Sequence, residues 1–356
     1  SDAGAIVLKK LIFTLIACLI ILISLYFYLK PNNSQSIAEL QKESVSNSSE
    51  NSAEQSIQTS SNNTDMIAPL KLLKAFIEKA PFKQEDTHSI LAQNPENIQN
   101  YLSEFSSLID TNIMKNNKLS ADQKAKILWS MFKEYNWLGD DNAFKAIIKD
   151  NLMYLRNPYL IPEIMKTYGD ISSLGEKSAN SRHDLLEIIN SIDISPQNPN
   201  NKLVVDTLRS EFRSINSRSE AQNLSDMATK ILYEYGKSTG IDVIPDIIQA
   251  ANTNTQASLS YVNNVLKLTL SDNNTTQLQS LIQSNMSQST RDDLNKAISF
   301  NLKEDGNIAI SSLNKESLAI LDQYLGKEFS NNPEFEKNTE LKQVYGKIKS
   351  ALELFF

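Results

Sequence analysis

The spacing of apolar residues after Ser217 constrains the fold more than any other feature of the chain. Ala221, Leu224, Ala228, Ile231 and Tyr235 follow one another at steps of three, four, three and four residues, which places all five on one face of a helix. Ahead of them Ser217 and Glu220 form an S-x-x-E capping box, a pair that satisfies backbone N–H groups of the first turn. Gly236 and Gly240 stand where such a helix should stop. The same grammar recurs at Ser120 with Gln123, ahead of Ile127, Leu128, Met131 and Phe132, and at Ser181 with Asp184, ahead of Leu185, Ile188 and Ile189. Asn94-Pro95-Glu96 and Asn332-Pro333-Glu334 each put Pro at a first helical position with an acid behind it, where the helix dipole favours negative charge. About ten to twelve helices are expected from such signals. Only Val265 to Leu270 invites a strand, and it continues the helical pattern of Leu259 and Val262. The expected class is all-α.

A repeat decides how helices stack. Ile161-Pro162-Glu163-Ile164-Met165 and Ile244-Pro245-Asp246-Ile247-Ile248 match and lie 83 residues apart, about two periods of a ~40-residue unit. The run from Ile244 to Leu268 resembles a HEAT pair, with a helix, a short polar turn and a second helix. Ile127-Leu128-Trp129 and Ile231-Leu232-Tyr233 are instead offset by 104 residues. The architecture expected is an irregular helical-pair array, a HEAT-like α-solenoid, with a multi-helix bundle as the alternative.

The N-terminal end reads differently. Between Lys10 and Lys30 there is no charge, and residues 11–29 would extend about 28 Å as a helix, close to the ~30 Å hydrocarbon core of a bilayer. The run passes into Tyr26, Phe27 and Tyr28, an interfacial belt, where a cleaved signal would show small residues. Leu15-Ile16-Ala17-Cys18 resembles the bacterial lipoprotein box and makes Cys18 a candidate lipidation site, although the mostly apolar residues after it depart from that pattern. A cleaved secretory signal is the third reading. Lys9 and Lys10 against Lys30 favour an inside N-terminus. From 31 to 65, 22 of 35 residues are Ser, Thr, Asn or Gln, too few apolar groups to offset the entropy of ordering. The expected organisation is a short cytoplasmic tail (1–10), a transmembrane signal-anchor helix (11–29), a disordered linker (31–65) and an all-helical extracytoplasmic domain (66–356). The location expected is the inner membrane, single-pass, with the bulk of the chain periplasmic or extracellular. Cys18 is the only cysteine, so the domain has no disulfide framework.

Composition removes several functions. Of the net charge of −7, +2 falls in residues 1–30 and −4 in 31–65, which leaves −5 for 66–356. Such a surface offers no basic patch for a nucleic-acid backbone and no grip on anionic lipid. His88 and His183 are the only histidines, so no metal site of the His/Cys type is expected. His183 can pair with Glu187 one turn on. Asp140-Asp141-Asn142 and Asp292-Asp293 lack the ligand spacing and glycine of a calcium loop and read as helix starts. No GxxxxGK[ST], GxGxxG or GxSxG occurs, so no catalytic residue, cofactor or small-molecule substrate is expected.

Two stretches read as contact surfaces. Both tryptophans fall in the segment Trp129, Phe132, Tyr135 and Trp137, and Trp129, Tyr135 and Trp137 are candidate partner-binding residues. Leu341, Tyr345, Ile348, Leu352 and Phe355 form a stripe that ends in Phe355-Phe356, which makes Leu352, Phe355 and Phe356 candidates for docking a protein partner. The function expected is a membrane-anchored interaction scaffold of a bacterial envelope, in a secretion or virulence setting. Abundant Asn, Lys and Ile fit an AT-rich bacterial genome. The alternatives are an all-α envelope lyase or hydrolase, with Glu134, Asp140 and Asp141 as its first carboxylates, and a periplasmic folding helper.

Overall fold

The helix after Ser217 forms as its sequence demands. Ser217 Oγ accepts the Glu220 backbone N–H, the helix runs Arg218–Thr239, and Gly240 ends it in the left-handed region at φ 69°. Ser120 and Gln123 make a reciprocal box: the Gln123 side chain accepts the Ser120 N–H at 2.8 Å and Ser120 Oγ accepts the Gln123 N–H at 3.2 Å. The computed structural model describes residues 64–80, 95–135, 143–215 and 217–355. The expected tail and anchor (1–29), Cys18 and the linker as far as residue 63 lie outside the described residues.

Fourteen α-helices and no strand occur among the described residues: α1 (Thr64–Glu78), α2 (Pro95–Ile109), α3 (Ala121–Tyr135), α4 (Ala143–Leu155), α5 (Ile161–Ser172), α6 (Ala179–Ser191), α7 (Asn201–Ser214), α8 (Arg218–Thr239), α9 (Ile244–Thr253), α10 (Ser258–Ser271), α11 (Thr275–Gln283), α12 (Gln288–Leu302), α13 (Lys315–Asn331) and α14 (Thr339–Glu353). The class is all-α, with more helices than the ten to twelve that the start signals give. Asn274, Ser287, Asn314 and Asn338 each accept a backbone N–H of the first turn of α11, α12, α13 and α14, with no acid three residues on to complete a box.

Two expected starts are displaced. Helix α6 already begins at Ala179, and Ser181 lies buried inside it, because Asp184 turns to lysines of α4 rather than to the helix end. Asn332-Pro333-Glu334 opens only a 3₁₀ turn, Pro333–Lys337. Asp292 and Asp293 sit in the second turn of α12, behind its cap at Ser287. The doubtful segment Val265–Leu270 is helical and lies in α10.

Packing follows one rule. Consecutive helices pair, α1 with α2, α3 with α4, and likewise for α5/α6, α7/α8, α9/α10 and α13/α14. Even helices then pack on even ones, from α2 on α4 through to α12 on α14. Odd helices do the same, α1 on α3, α5 on α7, and α7 through α9 and α11 to α13, while α3 meets the turn Pro158–Leu160 that leads into α5. The odd helices from α3 onward start at residues 121, 161, 201, 244, 275 and 315, at intervals of 40, 40, 43, 31 and 40. Ile161 and Ile244 therefore open equivalent helices two layers apart. Ile127-Leu128-Trp129 and Ile231-Leu232-Tyr233 belong to an odd and an even helix, which is why their offset fits no period.

The core runs through every layer, with Phe132, Ile148, Tyr168, Leu185, Leu224, Val262, Ile298 and Leu325 all buried. Gly236 shows how closely the link from α8 to α9 folds back on α8. A Cβ there would lie 2.5 Å from Val243 Cγ1 and 3.0 Å from the Ile241 carbonyl oxygen. At Gly169, inside α5, nothing lies within 4 Å. Gly236→Ala is therefore expected to destabilise the protein by about 1–3 kcal/mol, whereas Gly169→Ala should stabilise it by about 0.5–1 kcal/mol. Urea unfolding followed by circular dichroism reads both, and equal effects at the two positions would contradict this packing.

Candidate functional site

The charged side chains inside the array are joined across layers. Arg182 of α6 is fully buried. Its Nε donates to Ser178 Oγ at 3.0 Å, and its Nη2 donates to the Gly175 carbonyl at 2.7 Å and to Glu220 Oε1 of α8 at 2.5 Å. Its Nη1 pairs with Glu211 of α7, and both glutamates are buried as well. The guanidinium lies 5.9 Å from the Tyr168 ring centroid. Burial pushes the Tyr168 and Tyr261 hydroxyls well above the ordinary tyrosine range, and the nearby Glu220 carboxylate adds to both. These groups have no route to solvent and act as a joint between the layers.

A second joint ties α4 to α6. Lys145 Nζ lies 2.7 Å from Asp184 Oδ2, and Lys149 Nζ lies 2.8 Å from Asp184 Oδ1 and also pairs with Glu187. Burial alone would raise the Asp184 carboxyl, but the two ammonium groups outweigh it and hold the carboxyl below its ordinary range. Lys149 is likewise raised by Asp184 and Glu187 against the opposing effect of burial. His183 Nδ1 stands 3.9 Å from Glu187 Oε2. His183, Asp184 and Glu187 bring ligand atoms within 4.8 Å of one another, yet a cation placed there would face two ammonium groups already holding those carboxylates. Arg209 and Arg213 of α7 grip Asp246 of α9, and Arg291 and Asn295 of α12 grip Glu328 of α13.

The aromatic candidates divide. Trp129 is buried, and its indole N–H donates to Glu163 Oε2 of α5 at 2.7 Å, so it serves the contact between layers rather than an open surface. Tyr135 is the last residue of α3, its side chain outside the described residues, as are Trp137 and Phe356. His88, Asp140 and Asp141 lie outside them too. Glu134, the one described carboxylate of the enzyme alternative, pairs with Lys74 of α1. Leu352 packs against the core, while Phe355 is 50% exposed and Leu354 87%.

An open recess lies elsewhere, where the link from α4 to α5 meets the link from α6 to α7. Its volume is about 350 Å³, with Pro158 and Tyr159 on one side and Asp193, Ser195 and residues 197–200 on the other. The two links are built alike. Asn157 Oδ1 accepts the Tyr159 N–H at 2.9 Å, and Asn198 Oδ1 accepts the Asn200 N–H at 3.0 Å. Each is an Asn-Pro turn that sets the chain up for the next odd helix. Buried Asn201 fastens the second link by donating to the Ser195 carbonyl and to Ser238 Oγ of α8. Exposed Tyr159 and Leu203 and the outward Tyr154 stand on the neighbouring segments. Sequence reasoning passed over this place, although Asn157-Pro158 and Asn198-Pro199 lie 41 residues apart, one period of the array. Compared with known protein families, curated proteins and solved structures, the chain matches none of them.

Two outcomes check the joints. Arg182→Met leaves two buried carboxylates without their cation and is expected to cost about 3–5 kcal/mol in urea unfolding; a cost under ~1 kcal/mol would show the joint to be incidental. Because the folded Asp184 carboxyl titrates below its ordinary 3.8, its contribution is present above about pH 4 and is lost as pH falls through the folded value. Wild-type stability should fall on acidification below about pH 4 more steeply than that of Asp184→Asn, as read by thermal melts across a pH series. Parallel curves would refute the assignment.

Proposed function

We propose that the chain is a membrane-tethered scaffold whose helical pairs, stacked as a HEAT-like α-solenoid, recruit a protein partner on the outer side of a bacterial cell membrane. The observation that carries this reading is the pair-on-pair contact pattern among the described residues, in which most consecutive helices pair and even helices pack on even ones and most odd helices on odd ones. Such an array gains surface with every pair, and extended surfaces of this kind suit protein partners. The buried charged side chains described above are held within layers or between them, and the exposed face offers apolar and amide groups beside its solvated charges. At the C-terminal end, Leu354 and Phe355 follow α14 as an exposed apolar pair, the type of anchor that fits a pocket on another protein.

Tethering rests on residues 11–29. No described helix is long and apolar enough to cross a membrane; in this reading the uncharged run is the anchor and 31–65 the leash. A secretion or virulence assembly would supply a partner on that side.

The test is cross-linking of the full chain in its own cells, comparing wild type with a Leu354→Asp, Phe355→Asp double variant. One dominant cross-linked protein is expected, with its yield reduced about tenfold or more in the double variant, as for loss of a hot-spot anchor. Recovery of the wild-type chain in the soluble fraction after lysis would end the tether, and an unchanged cross-link in the variant would remove the C-terminal anchor.

A further inference from the structure

The recess between the two Asn-Pro links has a chemistry of its own, independent of the membrane and scaffold reading. Its walls combine one aromatic ring, two prolines and a set of short polar side chains, and its ~350 Å³ falls in the ~300–1,000 Å³ range of small-ligand sites.

Charge narrows the ligand. Asp193 at the rim faces Arg156 at 3.6 Å, and the Lys126 ammonium lies 4.9 Å from the Tyr159 ring centroid. Asp193 is the one charged side chain of the lining, and Arg156 already balances it, so the recess offers no unpaired charge and suits a neutral occupant. Hydrogen bonding narrows it further. Gln197 Oε1 is used by the Ser195 hydroxyl at 2.8 Å and Asn198 Oδ1 by the Asn200 N–H. Those bonds use the carbonyl ends of Gln197 and Asn198 and orient their NH₂ groups as donors, while the Asp193 carboxylate is an acceptor. A ligand that both donates and accepts at several closely spaced points, and that has a flat apolar face for Tyr159, satisfies all of these groups together.

We propose that this recess is a carbohydrate-binding subsite that takes a neutral pyranose, its C–H face laid on Tyr159 and its hydroxyls bonded to Gln197, Asn198 and Asp193. The loop is prepared for this. Its turn is held by Asn198 and pinned from beneath by Asn201, which is 1% exposed, so binding need not order it. An open recess of this kind binds weakly, with Kd in the region of about 1 mM.

The experiment is saturation-transfer NMR on the full chain with glucose, galactose, N-acetylglucosamine, maltose and chitobiose, each at about 10 mM, roughly tenfold above that Kd. Transfer to ring protons of at least one neutral sugar is expected, with the signal reduced at least about fivefold in Tyr159→Ala, a loss of roughly 1 kcal/mol in stacking. Because the Tyr159 side chain is 43% exposed, the variant should keep its fold, and its circular dichroism melt verifies this. Asp193→Asn is the second variant: it keeps an acceptor and should keep most of the signal, whereas Asp193→Ala should weaken it. No transfer from any sugar to the wild type overturns the proposal. So does equal transfer to a folded Tyr159→Ala, or binding of a proline-rich peptide where the sugars fail.

Discussion

Among the described residues, each layer of helices before the last has an apolar face that the next layer covers. That constraint fixes the interval near 40 residues from α3 to α9, because each layer needs two helices and two links. It also explains the one short interval. Helices α9 and α11 have only 10 and 9 residues, and the odd starts there are 31 residues apart. Helix α12 there packs on α9 as well as on α10.

Apolar faces of this kind are interchangeable, and sliding one layer past another by a turn would cost them little. The polar joints discriminate. Lys149 reaches Asp184 across 35 residues, Arg182 reaches Glu220 across 38, and Arg209 reaches Asp246 across 37. Further along, Asn264 reaches Asp226 across 38 residues and Arg291 reaches Glu328 across 37. Each spans one layer. Buried ion pairs contribute little net stability over apolar packing, but a displaced register would strand a charge in the interior at a cost of about 3–5 kcal/mol. On this view the array owes its stability to its aliphatic faces and its register to a handful of charges.

What was legible in the sequence is what helices write locally. Ser217, the box at Ser120 and Gln123, and the Ile-Pro openings of α5 and α9 are decided within one turn, and the structure keeps each of them. The 83-residue match was legible because two equivalent odd helices begin alike. Ser181 misled because a capping motif records a local preference, and Asp184 has a better use 39 and 35 residues back, at Lys145 and Lys149. Trp129 read as a surface aromatic for a similar reason: its partner Glu163 is 34 residues away, and no local pattern announces it. The recess escaped notice because its walls come from two successive links, and only the period of the array reveals that Asn157-Pro158 and Asn198-Pro199 are counterparts.

The two ends of the row are not equivalent. On α14 the outward face carries Lys342, Gln343, Lys347, Lys349 and Ser350, all exposed, and a helix of that kind closes a stack because nothing further needs to cover it. On α1 the outward residues include Ile67, Ala68 and Leu72, so that end is finished less completely in polar groups. A one-dimensional stack can grow or dock only at a layer whose outer face is still apolar. Among the described residues, the outer face of α14 is thus polar, while that of α1 carries exposed apolar groups.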